Sequence, residues 1–251
     1  MRTDLELKPF NSERVYGLVE QVYAVVTSGV DFDMKYISWL WFEGFVERVA
    51  TPNKQTILHE TIHAVAFCYL EYSTRKFPRE CVDDYRSLLK EAKMAIPKWL
   101  TKKQVESHVC ELDPMLAKAS EILVPPVFHV LFSDRDFVTI FQSRIAELAC
   151  ELKHADFPEL LLSDGIFKRP NYIPTWLKAA IFHRDHGRCQ HCWKDLTGLG
   201  SPVTDLHLDH IVPLAQSGSN DPTNFQLSCR ACNLKKGKKN RNTPGRYTPY
   251  W

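Results

Sequence analysis

The sequence predicts an α+β chain: an all-α domain over residues 1–165, then a small zinc-stabilised domain over 166–251. Three observations carry this. Apolar residues recur at helical spacing through the first part, with little strand alternation before residue 160. Residues 1–165 hold 19 basic and 25 acidic side chains, while 166–251 hold 13 and 5, so a chain of net charge +2 is acidic in front and basic behind. Four of the eight cysteines form two C-x-x-C pairs, both in the basic part.

Within the first domain, residues 12–27 place Val15, Leu18, Val19 and Val22 on one helical face, with Asn11 or Ser12 as N-cap. Residues 33–50 are rich in aromatics, from Tyr36 to Phe45, and Pro52 ends them. Helical patterns resume over 54–73 and 80–95, and a weakly periodic polar stretch follows Pro97. Pro125-Pro126 reads as a break. Asp134 then caps a helix carrying Phe137, Ile140, Phe141, Ile145 and Leu148. Two prolines, a glycine and the charge transition over 155–172 place the domain boundary there. Residues 174–184 read as a short helix opened by Pro174. The composition, 44% hydrophobic and 25% charged, excludes a disordered or collagen-like chain. The charged opening MRTDLELKPF is no signal segment and no uncharged apolar run reaches 18 residues, so no membrane span and a cytoplasmic location are expected.

In a reducing compartment paired C-x-x-C points to metal before disulfide. Cys189/Cys192 and Cys229/Cys232, 36 residues apart, can close a tetrahedral all-thiolate shell around a structural zinc ion. The other four, Cys68, Cys81, Cys110 and Cys150, lie in apolar or helical text and read as buried small hydrophobes.

Between the pairs runs Leu206-His207-Leu208-Asp209-His210-Ile211-Val212-Pro213, a short strand ending on Asp209-His210. Asn224 opens a turn into the second pair, and Asn233 follows it. With Arg184-Asp185 before the first pair and Lys236 after Asn233, this text resembles the HNH endonuclease family, of ββα-metal, treble-clef-like fold, over roughly residues 170–240. Asn233 stands where the namesake pattern has histidine. The resemblance implies a metal-dependent DNA endonuclease that hydrolyses a phosphodiester with one metal ion and leaves a 5′-phosphate. His210 would be the general base, since imidazole titrates near neutrality. Asp209 and Asn233 would offer oxygen ligands to Mg2+ or Mn2+. Asn224 would brace the loop that orients His210. Arg184, Arg188, Lys235, Lys236, Lys238 and Lys239 would meet the DNA backbone. His183, His186 and His191, beside a complete set of four cysteines, read as surface or DNA-contact residues.

A second motif, His59-Glu60-Thr61-Ile62-His63, is H-E-x-x-H on a helix, a zinc-binding arrangement in peptidases. Against it stand Thr61 where those enzymes carry an apolar residue, and a short spacer to Glu80 that crosses Pro78. The readings that compete with the nuclease are a non-catalytic zinc-stabilised DNA-binding module and a peptidase-like domain fused to a nuclease. The acidic helical domain is expected to bind a protein partner, recognise DNA structure or restrain the nuclease. By analogy with other helical-domain plus HNH chains, the setting would be a bacterial anti-phage defence or restriction system.

Overall fold

The structure is a computed structural model that describes residues 11–28, 44–198 and 206–237. The aromatic stretch from Tyr36 to Phe42, Lys238, Lys239 and the terminal segment lie outside the described residues. The helices are α1 Ser12–Ser28, α2 Phe45–Ala50, α3 Ile57–Lys76, α4 Val82–Glu91, α5 Val109–Ser120, α6 Val124–Ser133, α7 Arg135–Ala149, α8 Thr175–Arg184 and α9 Arg230–Lys236. The strands are β1 Leu161–Ser163, β2 Ile166–Phe167, β3 Leu206–His210 and β4 Phe225–Cys229. The described chain divides into two compact units. The first holds residues 11–25 and 59–130; the second holds 26–28, 44–58, 131–198 and 206–237.

The first unit is helical. Asn11 Oδ1 accepts from the Arg14 main-chain N at 3.2 Å, which caps α1, and Val15, Leu18 and Val22 turn inward at helical spacing. Helix α4 buries Val82, Tyr85, Leu88 and Leu89 and packs on α5. Tyr85 is fully buried, and its hydroxyl finds Ser73 Oγ on α3 at 3.0 Å.

The break expected at Pro125-Pro126 falls just ahead of them, at the 3-10 turn Glu121–Leu123 between α5 and α6. Both prolines sit in the first turn of α6, where main-chain N–H groups have no helical acceptor and a fixed φ is already helical. Among the described residues, Val105–Ser133 is the run long and apolar enough, by length and composition, to cross a membrane, and 44% of its apolar window is buried. It is divided by the 3-10 turn Glu121–Leu123, and it turns Leu112, Leu116 and Ala119 inward.

His59 and His63 lie one turn apart on α3 and are half-buried. His59 stacks on Phe128, with ring centroids 3.8 Å apart and an interplanar angle of 18°. Among the described residues, His59, Glu60 and His63 do not join a group of three or more side chains close enough to share a metal ion. Two cysteines correct the sequence expectation: Cys110 and Cys150 are exposed, while Cys68 and Cys81 are half-buried.

The second unit carries the ββα element. β3 pairs antiparallel with β4 in a register that sets Leu206 opposite Cys229, Asp209 opposite Gln226 and His210 opposite Phe225. Helix α9 starts directly after β4. Against β4, α8 packs Leu177 and Ile181, which join Leu196, Phe225, Leu227, Cys189 and Cys229 in one buried cluster. Residues 44–58 and 131–165, ahead of the charge transition, are compact with this unit.

Burial brings the His59 imidazole down from 6.5 to about 4. Between those values the unfolded chain binds the extra proton, so folding stability rises as pH climbs through that window. Thermal melts across pH 4–6.5 should therefore show a shallower slope for His59→Phe, which keeps the ring stack, than for wild type; equal slopes would exclude His59 as the source.

Candidate functional site

The four paired cysteines converge. Their Sγ atoms all lie within 4.8 Å of one another, and Cys192 Sγ is 3.8 Å from Cys229 Sγ. A tetrahedron with zinc–sulfur bonds of about 2.3 Å has sulfur–sulfur edges of about 3.8 Å, so the cluster fits zinc by both donor type and spacing. Burial works against the Cys189 thiolate, but main-chain hydrogen bonds at Cys229, His191 and Cys192 outweigh it and bring the thiol to about 7, whereas burial raises the Cys192 and Cys232 thiols, so zinc binding must displace protons from them. A deprotonated sulfur is the form zinc binds.

Beside the cluster, the end of β3 presents Asp209 and His210. The cross-strand pairing of Asp209 with Gln226 places Gln226 Nε2 3.0 Å from Asp209 Oδ2. Lys236, near the end of α9, donates to the same oxygen at 2.7 Å, and also to the main-chain oxygens of His210 and Ile211. His191 Nε2 lies 3.5 Å from Asp209 Oδ2, from within the first cysteine turn. Burial opposes ionisation of Asp209, but the His191, Lys236 and Gln226 interactions outweigh it and hold its carboxyl below the ordinary carboxylate value. Lys236 is lowered from its own ordinary value, because burial exceeds the pull of Asp209.

His210 is buried with its ring tilted against Phe225 at a centroid distance of 4.5 Å, and its Nε2 is 3.2 Å from Asn220 Oδ1. Burial brings the imidazole down to about 4, against the opposing Asn220 hydrogen bond and Asp209 charge. The ring is therefore neutral at physiological pH, with a lone pair free to take a proton.

Asn224 is fully buried and knits the loop after β3. Its Oδ1 accepts from Val212 N at 2.8 Å, and its Nδ2 donates to Val212 O at 3.0 Å and Ser219 O at 2.8 Å. The same loop admits no side chain at Gly218: a Cβ there would stand 1.9 Å from Val212 O. Asn233 is half-buried on α9.

Two residues expected at the DNA backbone are internal. The Arg184 side chain is 3% exposed; it pairs with Asp185, donates to Phe225 O at 2.6 Å and lies over the Phe132 ring. The Lys236 side chain is also 3% exposed and is committed to Asp209. Both corrections have one cause: a buried carboxylate next to each demands a cation. Arg188 and Lys235 are exposed, and so is Arg230, which the sequence reading passed over.

Sequence reasoning also missed Arg135, Gln226 and Asn220, gave Asp185 no role of its own, and read His191 as a surface or DNA-contact residue, whereas its side chain is largely buried against Asp209. Asp185 is buried and accepts from Arg184 Nε at 2.8 Å, from Arg135 Nη1 on α7 at 3.3 Å and from Leu227 N on β4 at 2.7 Å. Arg135 Nη2 meanwhile donates to Gln226 Oε1 at 2.8 Å. That bond turns the Gln226 amide so that Nε2 faces Asp209. The available signal was register: Gln226 is the cross-strand neighbour of Asp209 once β4 is recognised.

Residues 189–239 match the family described as HNH endonuclease. The matched segment contains both cysteine pairs, Asp209, His210, Asn224 and Asn233, so the C-terminal part of the chain carries an HNH endonuclease domain. No curated protein and no solved structure matches the chain.

Two measurements check this geometry. Purified protein should hold one zinc ion per chain, unchanged in His59→Ala and lost in Cys192→Ser; a second ion removed by His59→Ala would restore the H-E-x-x-H site. In urea, Lys236→Met should lose about 3–5 kcal/mol, because it strands a buried carboxylate. The exposed Lys235→Ala should stay within about 0.5 kcal/mol; equal effects would contradict the internal placement of Lys236.

Proposed function

We propose that this protein is a metal-dependent DNA endonuclease acting through His210, and that the helical unit of residues 11–25 and 59–130, rather than the whole of residues 1–165, serves it in partner binding or regulation. The observation that carries the reading is the placement of a neutral, buried imidazole next to an ionised carboxylate on one strand end, beside a four-sulfur cluster. His210 takes a proton from a water molecule. The water oxygen bonds to phosphorus, the P–O3′ bond breaks, and the departing O3′ takes a proton from solvent, so the products are a 5′-phosphate and a 3′-hydroxyl. Asp209 and Asn233 supply a carboxylate and an amide oxygen, the hard donors that Mg2+ or Mn2+ prefers. Bound there, the ion would neutralise charge on the phosphate and the departing oxygen. Asn224 braces the loop, and the exposed Arg188, Arg230 and Lys235 neutralise backbone phosphates without reading sequence. The setting we infer, by analogy alone, is a cytoplasmic effector of anti-phage defence or restriction.

One observation favours a second reading. The Lys236 ammonium already neutralises Asp209, as it would in a zinc-stabilised module that binds DNA without cutting it. Plasmid DNA incubated with Mg2+ or Mn2+ separates the two. The nuclease reading expects nicking or cutting by wild type, lost with EDTA and reduced at least about 100-fold in His210→Ala. Equal cutting by both proteins would overturn the mechanism. Binding without cutting, insensitive to Asp209→Ala, would establish the second reading.

A further inference from the structure

Asn220 lies four residues before Asn224, in a stretch of Ser, Gly, Asn and Asp whose sequence reads only as a turn. In the structure it is fully buried. Its Nδ2 stands 2.8 Å from Ala50 O and 2.8 Å from Lys168 O. Carbonyl oxygens only accept, so the amide nitrogen must face them, and Oδ1 must face His210 Nε2 at 3.2 Å. An amide oxygen accepts and cannot donate, so the ring nitrogen opposite it carries the proton. The other nitrogen, Nδ1, then holds the lone pair.

We propose that Asn220 is a positioning residue that commits His210 to the Nε2–H tautomer, through an amide locked by main-chain carbonyls from outside the matched HNH segment. The proposal rests on the reading of His210 as the general base and names Nδ1 as the atom that takes the proton. The lock reaches far along the chain. Ala50 ends α2, the Asn220 main-chain N also donates to Val49 O at 2.8 Å, and Ile57 N donates to Asp221 Oδ2 at 3.0 Å. Residues 49–57 therefore grip the loop 220–221 at three points, from 164 to about 170 positions away in sequence. Lys168, just after β2, closes the amide from a second direction. A side chain with a single partner could flip; one held by two carbonyls cannot turn without setting its own oxygen against both of theirs, where no hydrogen bond can form.

Long-range proton–nitrogen correlation on the full, zinc-loaded chain with 15N-labelled histidine tests this without any activity measurement. Wild type should show the neutral His210 ring with its proton on Nε2 and a lone pair on Nδ1. Asn220→Ala should show a mixture of tautomers and, in the plasmid assay, a kcat lower by about 10- to 100-fold, with KM within about two-fold and zinc still at one per chain. Should Asn220→Ala not fold, the wild-type spectrum still decides. His210 protonated on Nδ1, or a spectrum unchanged in Asn220→Ala, would overturn the proposal. If wild type shows the Nε2–H tautomer and cuts no DNA, the clamp stands and the nuclease reading fails.

Discussion

Asp185 is a carboxylate placed where elementary electrostatics disfavours it. It succeeds the last residue of α8, where the helix dipole is negative, and its side chain is 1% exposed. An isolated charge in such a place costs several kcal/mol, and removing one partner of a buried pair typically costs about 3–5 kcal/mol. The cost is met by two guanidinium groups and one main-chain N–H. Arg184 comes from α8 itself, Arg135 from the start of α7, and Leu227 N from the middle of β4. Three elements far apart in sequence are thereby pinned to one pair of oxygen atoms, and β4 is fixed in the second unit by directional bonds as well as by apolar contact.

The placement of β4 sets the site. Leu227 is anchored, so its neighbour Gln226 is held at the one position that faces Asp209 across the hairpin. Arg135 then sets which end of the Gln226 amide points at the carboxylate. His210 is treated the same way on the other side of the strand, where Asn220 supplies the amide and main-chain carbonyls set its direction. Both Asp209 and His210 are thus oriented by a neutral amide whose own orientation is imposed from elsewhere. Amides suit that role because each carries a donor and an acceptor at fixed separation. The four-sulfur cluster holds the far end of the hairpin, where Cys229 closes β4 opposite Leu206.

Much of this was legible. The helices over 12–27, 134–153 and 174–184 are expected from apolar spacing, the Asp134 cap and Pro174, and they form as Ser12–Ser28, Arg135–Ala149 and Thr175–Arg184. The cysteine spacing foretold a cluster, and the Leu206-to-His210 alternation foretold a strand. Other features were illegible for physical reasons. Pro125-Pro126 carries the same letters whether it ends one helix or begins the next. Arg184 and Lys236 read as phosphate contacts because a basic residue near a nuclease motif gives no hint that a buried carboxylate has claimed it. Arg135, Asn220 and the carbonyl of Ala50 belong to the site through three-dimensional contact alone, and a main-chain carbonyl leaves no mark in sequence at all.

If the buried Asp185 charge holds the hairpin that carries Asp209 and His210, neutralising that charge should loosen both strands. Native-state hydrogen exchange on zinc-loaded wild type and Asp185→Asn tests this directly. The asparagine keeps an oxygen for Leu227 N–H and removes the charge that the two arginines require. Faster exchange across Leu206–His210 and Phe225–Cys229 in the variant, with zinc still bound, is the predicted result. Equal protection in the two proteins would contradict the role given to Asp185 and would leave the sulfur cluster and the apolar packing as the supports of the site.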